Sequence, residues 1–187
     1  MTDWNGTPVL TTDRLILRTF RRDDLAPYAA LNADPEVMRY LGGTALPPAE
    51  TESIAAYAQN LYAREGLGLL AIERRTDGAF LGMCGLHHLG WYPDDIEIAW
   101  RLAHEHWGHG YASEAAGAWL AHGFEVHGFP RVISVTDVPN LRSIAVMRRI
   151  GMTLDHEADL EEDGETFRAV IYSITAADWK AGRGLPI

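Results

Sequence analysis

The 187-residue sequence has a single cysteine, Cys84, so no internal disulfide is available to it. No run approaches the roughly 18 consecutive apolar residues of a membrane helix, and the opening MTDWNGTPVLTTDR has no basic stretch followed by an apolar one, as a secretory leader would. Positive charge is scarce: 16 Lys and Arg stand against 26 Asp and Glu, a formal charge of −10. Direct nucleic-acid binding needs basic patches and is not expected, whereas an acidic field favours approach of a cationic amine or basic peptide. The same acidity also serves solubility alone. A phosphate-loop lysine is missing after the glycine turn at Gly108, and no acidic residue follows at the spacing of a dinucleotide fold, which argues against nucleoside triphosphates and Rossmann cofactors.

What remains is a globular composition, 47% hydrophobic and 22% charged, long enough for one ordinary domain. We expect a single domain over residues 1–187 with its core in 10–175, in a reducing cytoplasm. Cys84 lies in the apolar run 80–86 and reads as a small buried hydrophobe.

Alternation and turn residues predict strands at 14–20, 67–74, 79–88, 96–102, 131–137, 153–160 and 166–174, with hairpin turns at 76–78 and 163–164 and a loop at 91–95. Helices are predicted from Leu25, across 34–40, at 49–64, from Tyr111 to about His127, at 140–150 and at 175–180. Mixed hairpin and crossover connections give an α/β fold with a mixed central sheet and helices on both faces.

The segment 97–125 carries the strongest functional signal: a strand, a turn with Gly108 and Gly110, then a helix rich in small residues. Glycines let a main chain approach a ligand closely, and the open N–H groups of a helix start attract phosphate. Trp107-Gly108-His109-Gly110-Tyr111-Ala112 resembles the pyrophosphate loop of the GNAT N-acetyltransferase superfamily, with Trp at a position usually Gln or Arg. Together with 12–18 (TDRLILR), 140–147 (NLRSIAVM) and 150–152 (IGM), it is similar to the branch that contains the ribosomal-protein N-terminal acetyltransferases, over roughly residues 10–175.

The resemblance implies a V-shaped split between the fourth and fifth predicted strands, holding acetyl-CoA as cosubstrate. Trp100, Arg101 and Leu102 would meet the pantetheine arm through main-chain groups; residues Trp107 to Ser113 would hold the pyrophosphate, and Asn140 would both cap its helix and touch the arm. Acetyl transfer needs a base for the acceptor amine and a proton for the leaving thiolate. Glu97 is the candidate base; His87 or His88 is an alternative, and only one of that adjacent pair can face the site. Relatives often place a tyrosine where this chain has Met147, which shifts the thiolate's assistance to Ser143, one helical turn earlier. Tyr40, His87 and Trp91 are candidates for the acceptor pocket.

His104, His106 and His109 suggest metal, but an HExxH motif fails because Gly108 stands at its second histidine, and we expect none. The expected partner is an amine, either a cationic small molecule or a protein N-terminus, and the expected state is a monomer or homodimer. A non-catalytic acyl-CoA-binding regulator is the alternative function, and a dinucleotide oxidoreductase a weaker one.

Overall fold

The computed structural model describes residues 3–162 and 164–182. Eight strands form one sheet in the order β1-β2-β3-β4-β5-β6-β8-β7. They are β1 (Pro8–Thr11), β2 (Leu15–Arg18), β3 (Gly68–Arg74), β4 (Phe80–Leu89), β5 (Tyr92–Leu102), β6 (Arg131–Asp137), β7 (Thr153–Glu162) and β8 (Glu165–Thr175). Neighbours are antiparallel except β5 and β6, which the intervening helix makes parallel. The helices are α1 (Leu25–Ala33), α2 (Pro35–Met38), α3 (Pro48–Glu65), α4 (Tyr111–His122), α5 (Leu141–Arg149) and α6 (Ala176–Gly182).

On one face, Tyr28 and Leu31 of α1 and Ala55 and Ala58 of α3 pack with Ala71 and Met83 of the sheet. On the other, Trp119 and Leu120 of α4 and Ile144 and Met147 of α5 pack with Ile98, Leu102 and Val132. The expected mixed α/β sandwich is therefore the observed one.

Three local features differ from the sequence reading. Strand β1 was not expected; it is a four-residue edge pairing with β2, and Pro8 sits where an edge tolerates a missing donor. The expected loop at 91–95 is mostly strand. Pairing jumps from His88–Ile96 to Leu89–Tyr92, so Pro93, Asp94 and Asp95 are excess residues in a bulge. That bulge bends the β4–β5 tip over the β6–β8–β7 face, where Leu89 and Tyr92 pack on Ile133, Ala169 and Ile171. Trp91 Nε1 donates to Glu161 O at 2.9 Å, and the Tyr92 hydroxyl lies 2.9 Å from His156 Nε2. Finally, α4 ends at His122 and the turn Gly123–His127 is π-helical, closed by Gly128 at φ 69°. A Cβ on Gly123 would come within 2.8 Å of Leu86 Cδ1, so the Leu86 side chain would have to shift. In the β7–β8 turn, Glu162 pairs with Glu165, and Asp163 lies outside the described residues.

Beneath the β1–β2 end, Arg18 is 1% exposed and its guanidinium donates to Asp24 at 2.6 and 2.8 Å and to Glu73 at 2.7 Å. Burial alone would lower its pKa, but hydrogen bonds to Asp24 and Glu73 outweigh it and the pKa is raised. Arg21 adds a second cation to Glu73 at 2.6 Å. Removing Arg18 leaves carboxylates buried without their principal partner. Arg18→Met should cost about 3–5 kcal/mol, measured by urea denaturation at pH 7; a loss under about 1 kcal/mol would mean that the two carboxylates find water.

Candidate active site

Strands β5 and β6 share only two pairs in register, Ile96 with Val132 and Glu97 with Ile133. Past them β5 runs on to Leu102 and β6 to Asp137 without pairing, so the sheet parts in a V. This is the split expected between the fourth and fifth strands, here numbered β5 and β6 because of β1.

Parted strands leave main-chain groups that need partners. Ala103 N donates to Leu81 O at 2.9 Å. Antiparallel alternation then turns the N–H and C=O of Arg101 and Ala99 toward β4, and those of Trp100 and Leu102 toward the split. Leu102 O accepts from Trp107 Nε1 at 2.8 Å. The main-chain edge facing the gap therefore belongs to Trp100 and Leu102; Arg101 leaves that set, and its side chain lies on the same face as Glu97. On the opposite strand, Val135 N is satisfied by a side chain, donating to Glu97 Oε1 at 3.0 Å.

Glu97 is 6% exposed, at the vertex of the V. Its Oε2 lies 2.9 Å from His87 Nε2, a buried ring nitrogen with no hydrogen-bond partner. His88 points the other way, to Glu65 Oε2 at 2.8 Å on the exposed side. Of the two adjacent histidines, His87 is the one beside Glu97.

Gly108 and Gly110 both take φ of 80°, and Gly110 starts α4 with no side-chain cap. The first N–H groups of α4 thus lack intrahelical acceptors, and a Cβ on Gly108 would meet no atom within 4 Å. The turn is braced from behind. Glu114 accepts from the Thr12 hydroxyl at 2.5 Å and from Arg14 N and Nε at 2.9 and 2.6 Å. Arg14 Nη1 also donates to His109 O at 3.0 Å and its guanidinium lies 4.8 Å over the Tyr111 ring, itself stacked on His109. The Ser113 hydroxyl is buried and accepts from Arg149 Nη1 at 3.3 Å, Ala112 packs against the main core, and Arg142 sits 4.8 Å over the Trp107 ring. Two arginines of α5 therefore flank the loop.

The start of α5 is fixed by Asn140, whose Oδ1 accepts from Ser143 N at 3.3 Å and whose Nδ2 donates to the Thr136 hydroxyl at 2.8 Å. The cap is as expected, and it leaves one amide hydrogen of Asn140 for another acceptor. Ser143 is half-buried on the first turn of α5; Met147 is fully buried in the main core. The Tyr40 hydroxyl donates to Pro139 O at 3.4 Å, joining the end of α2 to the β6–α5 loop. Trp91 stands edge-on to Phe167, with ring centroids 5.6 Å apart.

His104 lies against Trp107, 3.8 Å from Asp34, and burial lowers the pKa of His106. No three His, Cys, Asp or Glu side chains converge as a metal site among the described residues. Cys84 is buried, which pushes its thiol pKa up and leaves it a poor nucleophile.

One group escaped the sequence reading. Asp137 ends β6 at the mouth of the split, half-buried, and burial raises its carboxyl pKa. Its only signal in the sequence was its place at the carboxyl end of a strand that parts from a parallel neighbour.

Known proteins share stretches of this sequence and its fold. A family model described as an acetyltransferase (GNAT) domain matches residues 14–153. The chain is 35% identical over 155 residues to the uncharacterized protein YkkB of Bacillus subtilis, covering 79% of this chain and 87% of that one. It is 28% identical over 191 residues to the FsC-acetyl coenzyme A-N(2)-transacetylase of Aspergillus fumigatus, covering 92% and 78%. Its fold is shared with RimL, a ribosomal L7/L12 alpha-N-protein acetyltransferase solved with coenzyme A, at a TM-score of 0.76 and 18% identity, over 90% of this chain and 97% of that one. No helix among the described residues is long and apolar enough to cross a membrane. With a parted parallel strand pair, an uncapped helix start behind two left-handed glycines and a family match over most of its length, this chain belongs to the GNAT acetyltransferases.

Proposed function

We propose that the protein moves an acetyl group from acetyl-CoA directly to a primary α-amine. The observation that carries this reading is the V itself: Trp100 and Leu102 present main-chain groups on one side, and a bare helix start lies at its open end. Those residues suit a pantetheine arm and a pyrophosphate, with Trp107 to Ser113 around the phosphates and Asn140 on the arm. The α-amine follows from names: one relative is an N(2)-transacetylase and one structural neighbour an alpha-N-protein acetyltransferase. Tyr40, His87 and Trp91 would border the acceptor.

Acetyl-CoA supplies a thioester whose carbonyl carbon takes the amine's lone pair. Only a neutral amine has that pair, so a base must accept its proton. Glu97 Oε2 lies beside His87, while Oε1 stays bound to Val135. Asp137 is a second proton acceptor at the mouth, its raised pKa suited to exchange with solvent. As the C–S bond breaks, the Ser143 hydroxyl at the α5 start would donate to the leaving sulfur. That help is modest, since a thiol of ordinary pKa, about 8.5, leaves readily.

Four outcomes test this. Gly110→Ala places a Cβ over the helix start and should weaken CoA binding by about tenfold or more, roughly 1.4 kcal/mol, in calorimetry on a folded variant; an unchanged affinity removes the loop from the site. Glu97→Gln keeps an oxygen for Val135 N–H but loses the base, so turnover should fall by ~10² to 10⁴ with CoA affinity intact. Ser143→Ala should cost only about tenfold. Asp137 has a raised pKa, so its contribution to stability is fully present below the unfolded carboxyl's pKa and is lost as pH rises through the folded value. Asp137→Asn should therefore raise Tm at pH 7, with the gain vanishing in acid, while lowering turnover; a lower Tm at pH 7 would show that the charge is held favourably.

A further inference from the structure

The corner between β1 and β2 is tied to the glycine turn ahead of α4, although the two lie about a hundred residues apart in the chain. The corner is itself tight. Thr12 N donates to Leu15 O and Leu15 N to the Thr12 hydroxyl, both at 3.0 Å. Arg75, just past β3, pins it by donating through Nη1 to the main-chain oxygens of Thr12 and Asp13 at 2.7 and 2.8 Å. Arg14 is thereby presented to the α4 start from a fixed backbone.

The Arg14 side chain spans that start. Its Nη1 donates to His109 O at 3.0 Å, a Cβ built on Gly110 would lie 3.5 Å from its Nη2, its guanidinium covers the Tyr111 ring at 4.8 Å, and its Nε donates to Glu114 Oε2 at 2.6 Å. With the arginine side chain 49% exposed, this ion pair adds little to stability. It matters more for charge at an anion site. Glu114 stands in the first turn of α4, and a carboxylate there draws on the same positive helix end that a diphosphate needs. Burial would raise the pKa of Glu114, but hydrogen bonds from the Thr12 hydroxyl and from the Arg14 main chain and side chain outweigh it and lower the pKa, so the carboxylate is ionised at neutral pH. Thr12 and the main-chain N–H of Arg14 carry no net charge; the guanidinium is what offsets that of Glu114.

We propose that Arg14 is a positioning residue for acetyl-CoA: it cancels the Glu114 carboxylate beneath the diphosphate and, through His109 O, holds the glycine turn in the form that leaves the first N–H groups of α4 open. The diphosphate then meets a helix start whose own first-turn anion is already paired. This rests on the reading that the α4 start takes the diphosphate of CoA.

The test is calorimetry with CoA and with pantetheine, which has no phosphate, on the full chain and on Arg14→Gln, Arg14→Lys, Glu114→Gln and the Arg14→Gln/Glu114→Gln double variant, with circular dichroism to establish that each is folded. Loss of a charge-assisted contact corresponds to about tenfold to a hundredfold in affinity. Arg14→Gln should weaken CoA by that factor and leave pantetheine unchanged. Glu114→Gln still offers an oxygen to the Thr12 hydroxyl and removes the anion, so it should keep or tighten CoA binding, and adding it to Arg14→Gln should recover most of the loss. A purely structural role for Arg14 would give no such recovery. Arg14→Lys, a cation without the fork that reaches both His109 O and Glu114, should fall between the wild type and Arg14→Gln; it decides the matter should Arg14→Gln not fold, and wild-type affinity in it would then overturn the proposal. Unchanged CoA affinity in a folded Arg14→Gln, an equal loss for CoA and pantetheine, or a double variant no better than Arg14→Gln overturns it as well. If the wild type binds CoA no more tightly than pantetheine, the diphosphate reading itself fails, an outcome visible without any variant.

Discussion

The molecule depends on one interrupted ladder. Two parallel pairs join β5 to β6, and then the strands part, with the Glu97 carboxylate accepting the Val135 N–H that a continued ladder would have used. A side chain does the work of a strand neighbour at that point, so the gap can stay open without leaving this half-buried amide unsatisfied. On the other lip no side chain among the described residues does the same for Trp100, and its main-chain groups are what a strand-like ligand would meet. The glycine turn, the α4 start and the Asn140 cap are all arranged around the opening this creates.

The same constraint gives Glu97 two duties. One carboxylate oxygen spans the split and the other faces His87 on the acceptor side. A base held by a structural hydrogen bond is fixed in position, which is what proton transfer needs from it. Beside the split stands Asp137, whose carboxyl pKa is pushed up by burial. Natural folds place such costs at functional sites and offset them elsewhere; here the Arg18, Asp24 and Glu73 cluster lies on elements away from the split.

Much of this was legible in the residue order. Strong periodicity and turn chemistry located α3, α4, α5 and most strands, and Gly108 and Gly110 marked the left-handed turn before a helix. Alternation showed that only one of His87 and His88 could face the cleft. What was not legible depends on register and tertiary contact. β1 is too short to alternate, and Pro93-Asp94-Asp95 read as a loop because the bulge that absorbs them exists only against β4. Glu97's bond to Val135 and the main-chain polarity that excludes Arg101 follow from how β5 lies between two neighbours. The Arg101 side chain's bond to Asn32 follows from what α1 places against it, which no local pattern encodes.

Site-resolved amide hydrogen exchange, with and without coenzyme A, addresses the split most directly. In the free protein, Val135 N–H should be protected by Glu97 while Trp100 N–H exchanges far faster than its β4-facing neighbours Ala99 and Arg101. Saturating coenzyme A should slow Trp100 and the first turn of α4 and leave Val135 unchanged. If Trp100 is already as protected as Arg101 in the free protein, or if coenzyme A slows neither Trp100 nor the α4 start, the parted strands are not the binding site and the account fails.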